Sequence, residues 1–128
     1  TNTASCLCGD VRITVTGEPF RVGLCHCMDC RKHHGALVHA SAIFPEGAVS
    51  VSGETRDYRG GILPALRLSL FGVSGDEVEV NLGAFDAPDA FRPTYELWTI
   101  RRERFLPAFP GLRLHERDRP DGAPRDEG

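Results

Sequence analysis

No stretch of this 128-residue sequence is apolar over the roughly 18 positions that a membrane-spanning helix needs. The polar opening TNTASCLCGD also lacks the charged and apolar regions of a secretory signal. No membrane partner is expected on that reading, and the expected location is cytoplasmic. Positive charge is not in excess either: 15 Lys and Arg against 18 Asp and Glu leave a formal charge of −3, so a nucleic-acid partner has no compositional support. No window of about 12 residues carries a clean helical period, and no internal repeat suggests a solenoid. Cysteine is absent after position 30, which leaves all five, at 6, 8, 25, 27 and 30, in the first quarter of the chain. A disulfide framework would spread them and use an even number; an odd, dense cluster fits metal ligation or thiol chemistry in a reducing compartment.

What is present reads as β structure. A hydrophobic share of 41% and a charged share of 26% suit one soluble domain. Val11 to Thr16 alternates apolar and polar residues and closes on Gly17-Glu18-Pro19. Phe20 to Leu24, Ala36 to Phe44, Val49 to Ser52, Arg67 to Val73, Glu77 to Leu82 and Tyr95 to Ile100 read as further strands, with a hairpin at Ser74-Gly75-Asp76. Helices are expected only as single turns, and a metal knuckle is expected to stand in for part of an undersized core. From His115 onward almost no apolar residue remains to offset the entropy of ordering. Residues 115–128 are therefore expected to be a polar, disordered tail outside a domain of residues 1–114.

The segment Cys25-His26-Cys27-Met28-Asp29-Cys30 holds three thiols in six positions. Zinc takes thiolates at about 2.3 Å in a tetrahedron, and such spacings let one tight turn aim several sulfurs at one point. Three ligands leave a fourth position, open to water or substrate, or closed by His33 or His34 if the segment turns helically. His26, between two ligands, should point away from the metal, into a supporting position or solvent. His39 reads as a satisfied sheet residue and His115 as part of the tail. Arg31 and Lys32 follow the last thiol, where their charge favours thiolate and could receive a substrate carboxylate. Tyr95, Trp98, Phe105 and Phe109 are expected to cap the core and the pocket wall. Asp86 and Glu96 could orient a ligand or a histidine, although solvation is the default for both. Arg101, Arg102 and Arg104 read as a solvated basic face, with a glutathione or partner contact as the alternative.

These motifs stand in a recognisable order: C-L-C-G-D-V-R at 6–12, G-E-P at 17–19, C-H-C-M-D-C-R-K-x-x-G at 25–35, L-G-A-F-D at 82–86 and Y-E-L-W at 95–98. In that order and spacing the sequence resembles the glutathione-dependent formaldehyde-activating family, which includes centromere protein V-like domains. The resemblance implies a mainly β, Mss4-like fold and a zinc-dependent carbon–sulfur lyase that joins formaldehyde to glutathione as S-hydroxymethylglutathione. It implies a catalytic zinc on Cys25, Cys27 and Cys30, and a structural zinc joining the early C-x-C to a later C-x-x-C. Here the sequence departs from the pattern, since Leu63-Pro64-Ala65-Leu66 stands where the later pair should fall. Cys6 and Cys8 thus lose two partners, and the second site is expected to be degenerate, with both thiols reduced. A disulfide between them would be strained if they lay on one face of a strand, about 6.6 Å apart. The alternative to an enzyme is a zinc-binding module that holds a thiol ligand or a partner protein and catalyses nothing; an open pocket over the three cysteines would favour the enzyme.

Overall fold

The computed structural model describes residues 1–53 and 70–127. The chain runs β1 (Asn2–Ser5), β2 (Arg12–Val15), β3 (Arg21–Cys25), α1 (Met28–His34), β4 (His39–Pro45), β5 (Val49–Ser52), β6 (Phe71–Ser74), β7 (Glu77–Asn81), β8 (Tyr95–Leu97) and β9 (Arg113–Leu114), with single 3₁₀ turns at Glu46–Ala48, Leu82–Ala84 and Thr99–Arg101. The fold is mainly β, as the alternation in the sequence requires. Among the described residues two sheets form: an antiparallel one in the order β1-β2-β5, and a larger one in the order β6-β7-β4-β3-β8-β9. The larger sheet is mixed, because β8 runs parallel to both β3 and β9 while the other pairs are antiparallel.

Strand alternation fills the core. Ile13 and Val15 from β2 meet Ala42 and Phe44 from β4 and Val78 and Val80 from β7, every second residue in each strand facing inward. Phe44 packs with Phe91 and Phe85, ring centroids 5.4 and 6.3 Å away, and those two rings lie 5.0 Å from each other. The loop carrying Phe85 is pinned to β1: the Asp86 N–H donates to Thr3 O at 2.9 Å, and the Thr3 hydroxyl donates to the Asp86 carboxylate at 2.5 Å. Asp86 is thus a structural acceptor whose side chain also stays exposed to solvent. Tyr95 caps the core as expected, lying across β3 at Gly23, where any Cβ would strike its ring. Phe105 and Phe109, expected to do the same, are 70% and 41% exposed.

Several expected elements shift. β1 and β9 were not legible, being short and largely polar, and β4 begins three residues later than expected, at His39. The run to Ile100 stops at Leu97, because Trp98 turns left-handed (φ 56°) and the chain enters a 3₁₀ turn. The hairpin at Ser74-Gly75-Asp76 forms between β6 and β7. The segment Leu63-Pro64-Ala65-Leu66 and the start of the strand expected from Arg67 lie outside the described residues. α1 has seven residues, about two turns, where a single turn was expected.

The segment after His115 reads as a tail by its lack of apolar residues, yet polar contacts lay it along the larger sheet. The Glu127 N–H donates to Phe20 O at 2.8 Å, and its carboxylate meets Arg119 at 2.6 Å and Arg113 at 3.0 Å. Arg125 bonds both oxygens of Asp76, at 2.9 and 3.0 Å. The Trp98 ring N–H donates to Asp118 at 2.8 Å. Counting apolar residues misses this order, because ion pairs and main-chain bonds supply it.

Candidate metal and thiol site

Cys25 ends β3, and its neighbour continues the ladder: the His26 N–H donates to Leu97 O at 3.1 Å. Cys27 then caps α1. Its backbone is extended (φ −61°, ψ 155°), and its Sγ accepts the Cys30 N–H at 3.3 Å, the position a serine or aspartate oxygen commonly fills. Gly35 closes the helix in the left-handed region (φ 67°), its N–H donating to Arg31 O at 2.8 Å. Strand end, cap and first turn together bring the sulfurs of Cys25, Cys27 and Cys30 within 4.8 Å of one another, each residue partly exposed. Among the described residues this is the group of three or more ligand-type side chains that could hold a metal. Zinc fits it: three soft thiolate donors suit the ion, and two sulfurs on a tetrahedral zinc sit about 3.8 Å apart when each Zn–S bond is about 2.3 Å.

The three thiols share their protons unequally. Hydrogen bonding from the Cys30 thiol, reinforced by the N–H and thiol of Cys27 and by the charge of His39, brings Cys25 down to about 6 against the opposing effect of burial. Cys30 is pushed up by its bond to Cys25 and by burial, and Cys27 chiefly by burial. A cluster of this kind presents one thiolate and gives up the remaining protons when a metal binds.

Beneath the cysteines lies a buried polar network. Alternation along 25–27 turns His26 to the opposite side from its neighbours, and it is fully buried, not solvated. Its Nε2 lies 2.8 Å from Oε1 of Glu96, also fully buried on β8, and Arg102 Nη2 donates to the same oxygen at 3.0 Å. Burial works to raise the Glu96 carboxyl, but the bonds from His26 and Arg102 outweigh it and hold the group below its ordinary range. The expectation of a solvated Glu96 and a solvated Arg102 is therefore corrected. Trp98 explains how they meet: its left-handed turn and the following 3₁₀ turn carry Arg102 back over β8. For His26 the sequence signal was the alternation itself; for its partner no local signal existed, since Tyr95 and Glu96 are adjacent and both buried.

The other expected residues divide. Arg31 is engaged by the Glu103 carboxylate and by Met28 Sδ at 3.6 Å, while Lys32 is exposed on α1. His33 and His34 are not brought into the metal group. Instead His34 stacks on His39, centroids 3.7 Å apart at 8°, with His33 edge-on to His34 at 4.7 Å. Burial, then the charges of His39 and His33, brings His34 down to about 4. His39, opposite Cys25 in the β3–β4 register, lies 3.4 Å from the Glu79 carboxylate. Cys6 and Cys8 sit apart from this site, in the turn between β1 and β2, with their sulfurs 3.1 Å from each other. A cavity of about 560 Å³ opens against the 82–93 loop, with Leu82, Phe85, Phe91 and Arg92 in its walls and none of the cysteines, so it is not the pocket sought over the thiols.

A small mixed β sheet here presents, at the junction of a strand and a short helix, three thiols close enough together to hold a metal ion. Residues 1–61, which carry all five cysteines, match the family model of the glutathione-dependent formaldehyde-activating enzyme, and the match supports membership of that family. No curated protein matches the chain. The family match and the thiol cluster together support glutathione-related zinc chemistry in general terms. Among the described residues no helix is long and apolar enough to cross a membrane.

Proposed function

We propose that the protein joins a thiol such as glutathione to a small aldehyde, and cleaves the same carbon–sulfur bond in reverse, at a zinc site made by Cys25, Cys27 and Cys30. The observation that carries the reading is the approach of those three sulfurs within 4.8 Å at a partly exposed position. Zinc bound there supplies a cation that lowers the pKa of an incoming thiol from about 8.5 and so makes thiolate available near neutral pH.

The chain's own residues prepare the site. Cys25 offers a thiolate before any metal arrives. Cys27 joins the metal ligands to the first turn of α1 through its bond from the Cys30 N–H. His26, locked to Glu96 and Arg102, anchors the segment from beneath, so that Cys25 and Cys27 keep their direction. Lys32 is the only lysine of the chain and stands exposed one helical position past Arg31, a cation for a carboxylate of an acidic thiol. Arg31 holds Glu103 and serves the substrate only by exchanging that partner. In the reaction the thiol sulfur bonds to the carbonyl carbon, the C=O π bond opens onto oxygen, and the thiol proton ends on that oxygen.

Thiols add to small aldehydes unaided, so the test is rate against background. Zinc-loaded protein with formaldehyde and a panel of thiols should speed adduct formation with glutathione above the uncatalysed rate, and Cys27→Ala should return it to background. No acceleration with any thiol, while zinc remains bound, would leave a binding module in place of an enzyme.

A further inference from the structure

Cys6 and Cys8 are not placed as a strand pair. Cys6 opens a β-turn in which the Gly9 N–H donates to Cys6 O at 3.0 Å, and Gly9 takes the left-handed conformation (φ 79°) that lets the chain reverse. Leu7, between the two cysteines, projects wholly into solvent at 106% exposure. With the backbone arched outward at Leu7, the flanking side chains converge, and their sulfurs stand 3.1 Å apart. That is about 1 Å beyond the ~2.05 Å of a covalent S–S bond, so closing it asks only for small rotations about χ1 and χ2. The expected strain of a bridge between alternate strand residues does not apply to this turn. One of the pair is also conditioned as a nucleophile: the Val11 N–H donates to Cys6 Sγ at 3.3 Å, a bond that favours the thiolate. Cys8 is exposed, which leaves the pair reachable from solvent.

We propose that Cys6 and Cys8 form a reversible dithiol–disulfide couple that exchanges electrons with a small-molecule disulfide. The Cys6 thiolate attacks one sulfur of R–S–S–R, forming a mixed disulfide and expelling one RS⁻. The Cys8 sulfur, already within 3.1 Å, then attacks Cys6 Sγ and expels the second RS⁻. The two thiol protons pass to the two leaving thiolates, so two cysteine thiols are oxidised and one external disulfide is reduced to two thiols. The turn is self-contained, since its hydrogen bonds run among residues 6, 9 and 11, and the couple stands whether or not the three-cysteine site is catalytic.

The test uses the full chain incubated with oxidised glutathione, then denatured, alkylated and mapped by mass spectrometry. The expected wild-type product has a Cys6–Cys8 bond with both residues unalkylated, and it reopens on adding reduced glutathione. Cys8→Ser, a change at an exposed position, should instead hold a stable glutathione adduct on Cys6. Full alkylation of residues 6 and 8 in the wild type, together with full alkylation of Cys6 in Cys8→Ser, would overturn the couple. So would cross-links joining Cys6 or Cys8 to Cys25, Cys27 or Cys30 in place of the 6–8 bond.

Discussion

Cys27 carries two duties in the thiol cluster. It contributes a sulfur to the three-thiol group and caps α1 through the Cys30 N–H. Its replacements separate these. Cys27→Ala should lose both, so zinc content should fall from about one per chain toward zero and metal-free stability should drop by about 0.5–2 kcal/mol, the cost of a missing cap. Cys27→Ser should also lose zinc, because a neutral hydroxyl is a poor substitute for thiolate, but should keep the metal-free stability. Metal analysis with urea unfolding in chelator reads the two effects apart; an alanine variant that retains full zinc would remove Cys27 from the site. At this scale the thiols were legible, because spacing alone brings 25, 27 and 30 around one turn. The roles of the cations were not. Arg31 next to Cys30 looks free in a linear sequence, and only folding shows that Glu103 occupies it.

Glu96 ties three elements together: β8, on which it sits; the end of β3, through His26; and the turn after Trp98, through Arg102. A buried carboxylate with two cationic or hydrogen-bonding partners is costly to break one-sidedly, since the partners stay buried without their counter-charge. Glu96→Ala should therefore cost about 3–5 kcal/mol in urea unfolding and should lower zinc affinity by freeing His26. A loss below about 1 kcal/mol would mean that the network adds little. The strands around this network were legible where one face is wet, as in β2 and β7, whose Ile13/Val15 and Val78/Val80 alternate with polar neighbours. β8 was read from its β-rich composition and not from alternation, because it lies inside the sheet between β3 and β9 and buries Tyr95 and Glu96 on opposite faces. α1 exceeded its expected length because Cys27 and Gly35 cap both ends, and a cysteine is not the residue type that usually signals a cap.

For the whole molecule, the C-terminal segment shows where composition misleads: apolar content said tail, while charge pairing closes it on the sheet. Asp76 is held below its ordinary range chiefly by hydrogen bonds from Arg125, and Glu77 chiefly by Arg21. Carboxyls with depressed folded pKa values add stability above their unfolded values, about 4, and lose it as the pH falls through the lower folded values. Protection of the Glu127 amide, bonded to Phe20 O, should therefore hold from neutral pH to about pH 4 and decline below it; hydrogen exchange that is unprotected at pH 7 would contradict the clasp. The clasp also fixes β9 beside β8, and hence stands behind Glu96 and the cysteine loop. In the proposed site, three cysteine sulfurs of that loop would hold zinc and leave room for a thiol. Zinc-edge X-ray absorption measures it directly by counting sulfur neighbours. The expected result is three sulfurs at about 2.3 Å in the protein alone, rising to four on adding glutathione, with little bound zinc left to measure in Cys27→Ala. A zinc already closed by a fourth protein ligand and unchanged by glutathione would contradict it.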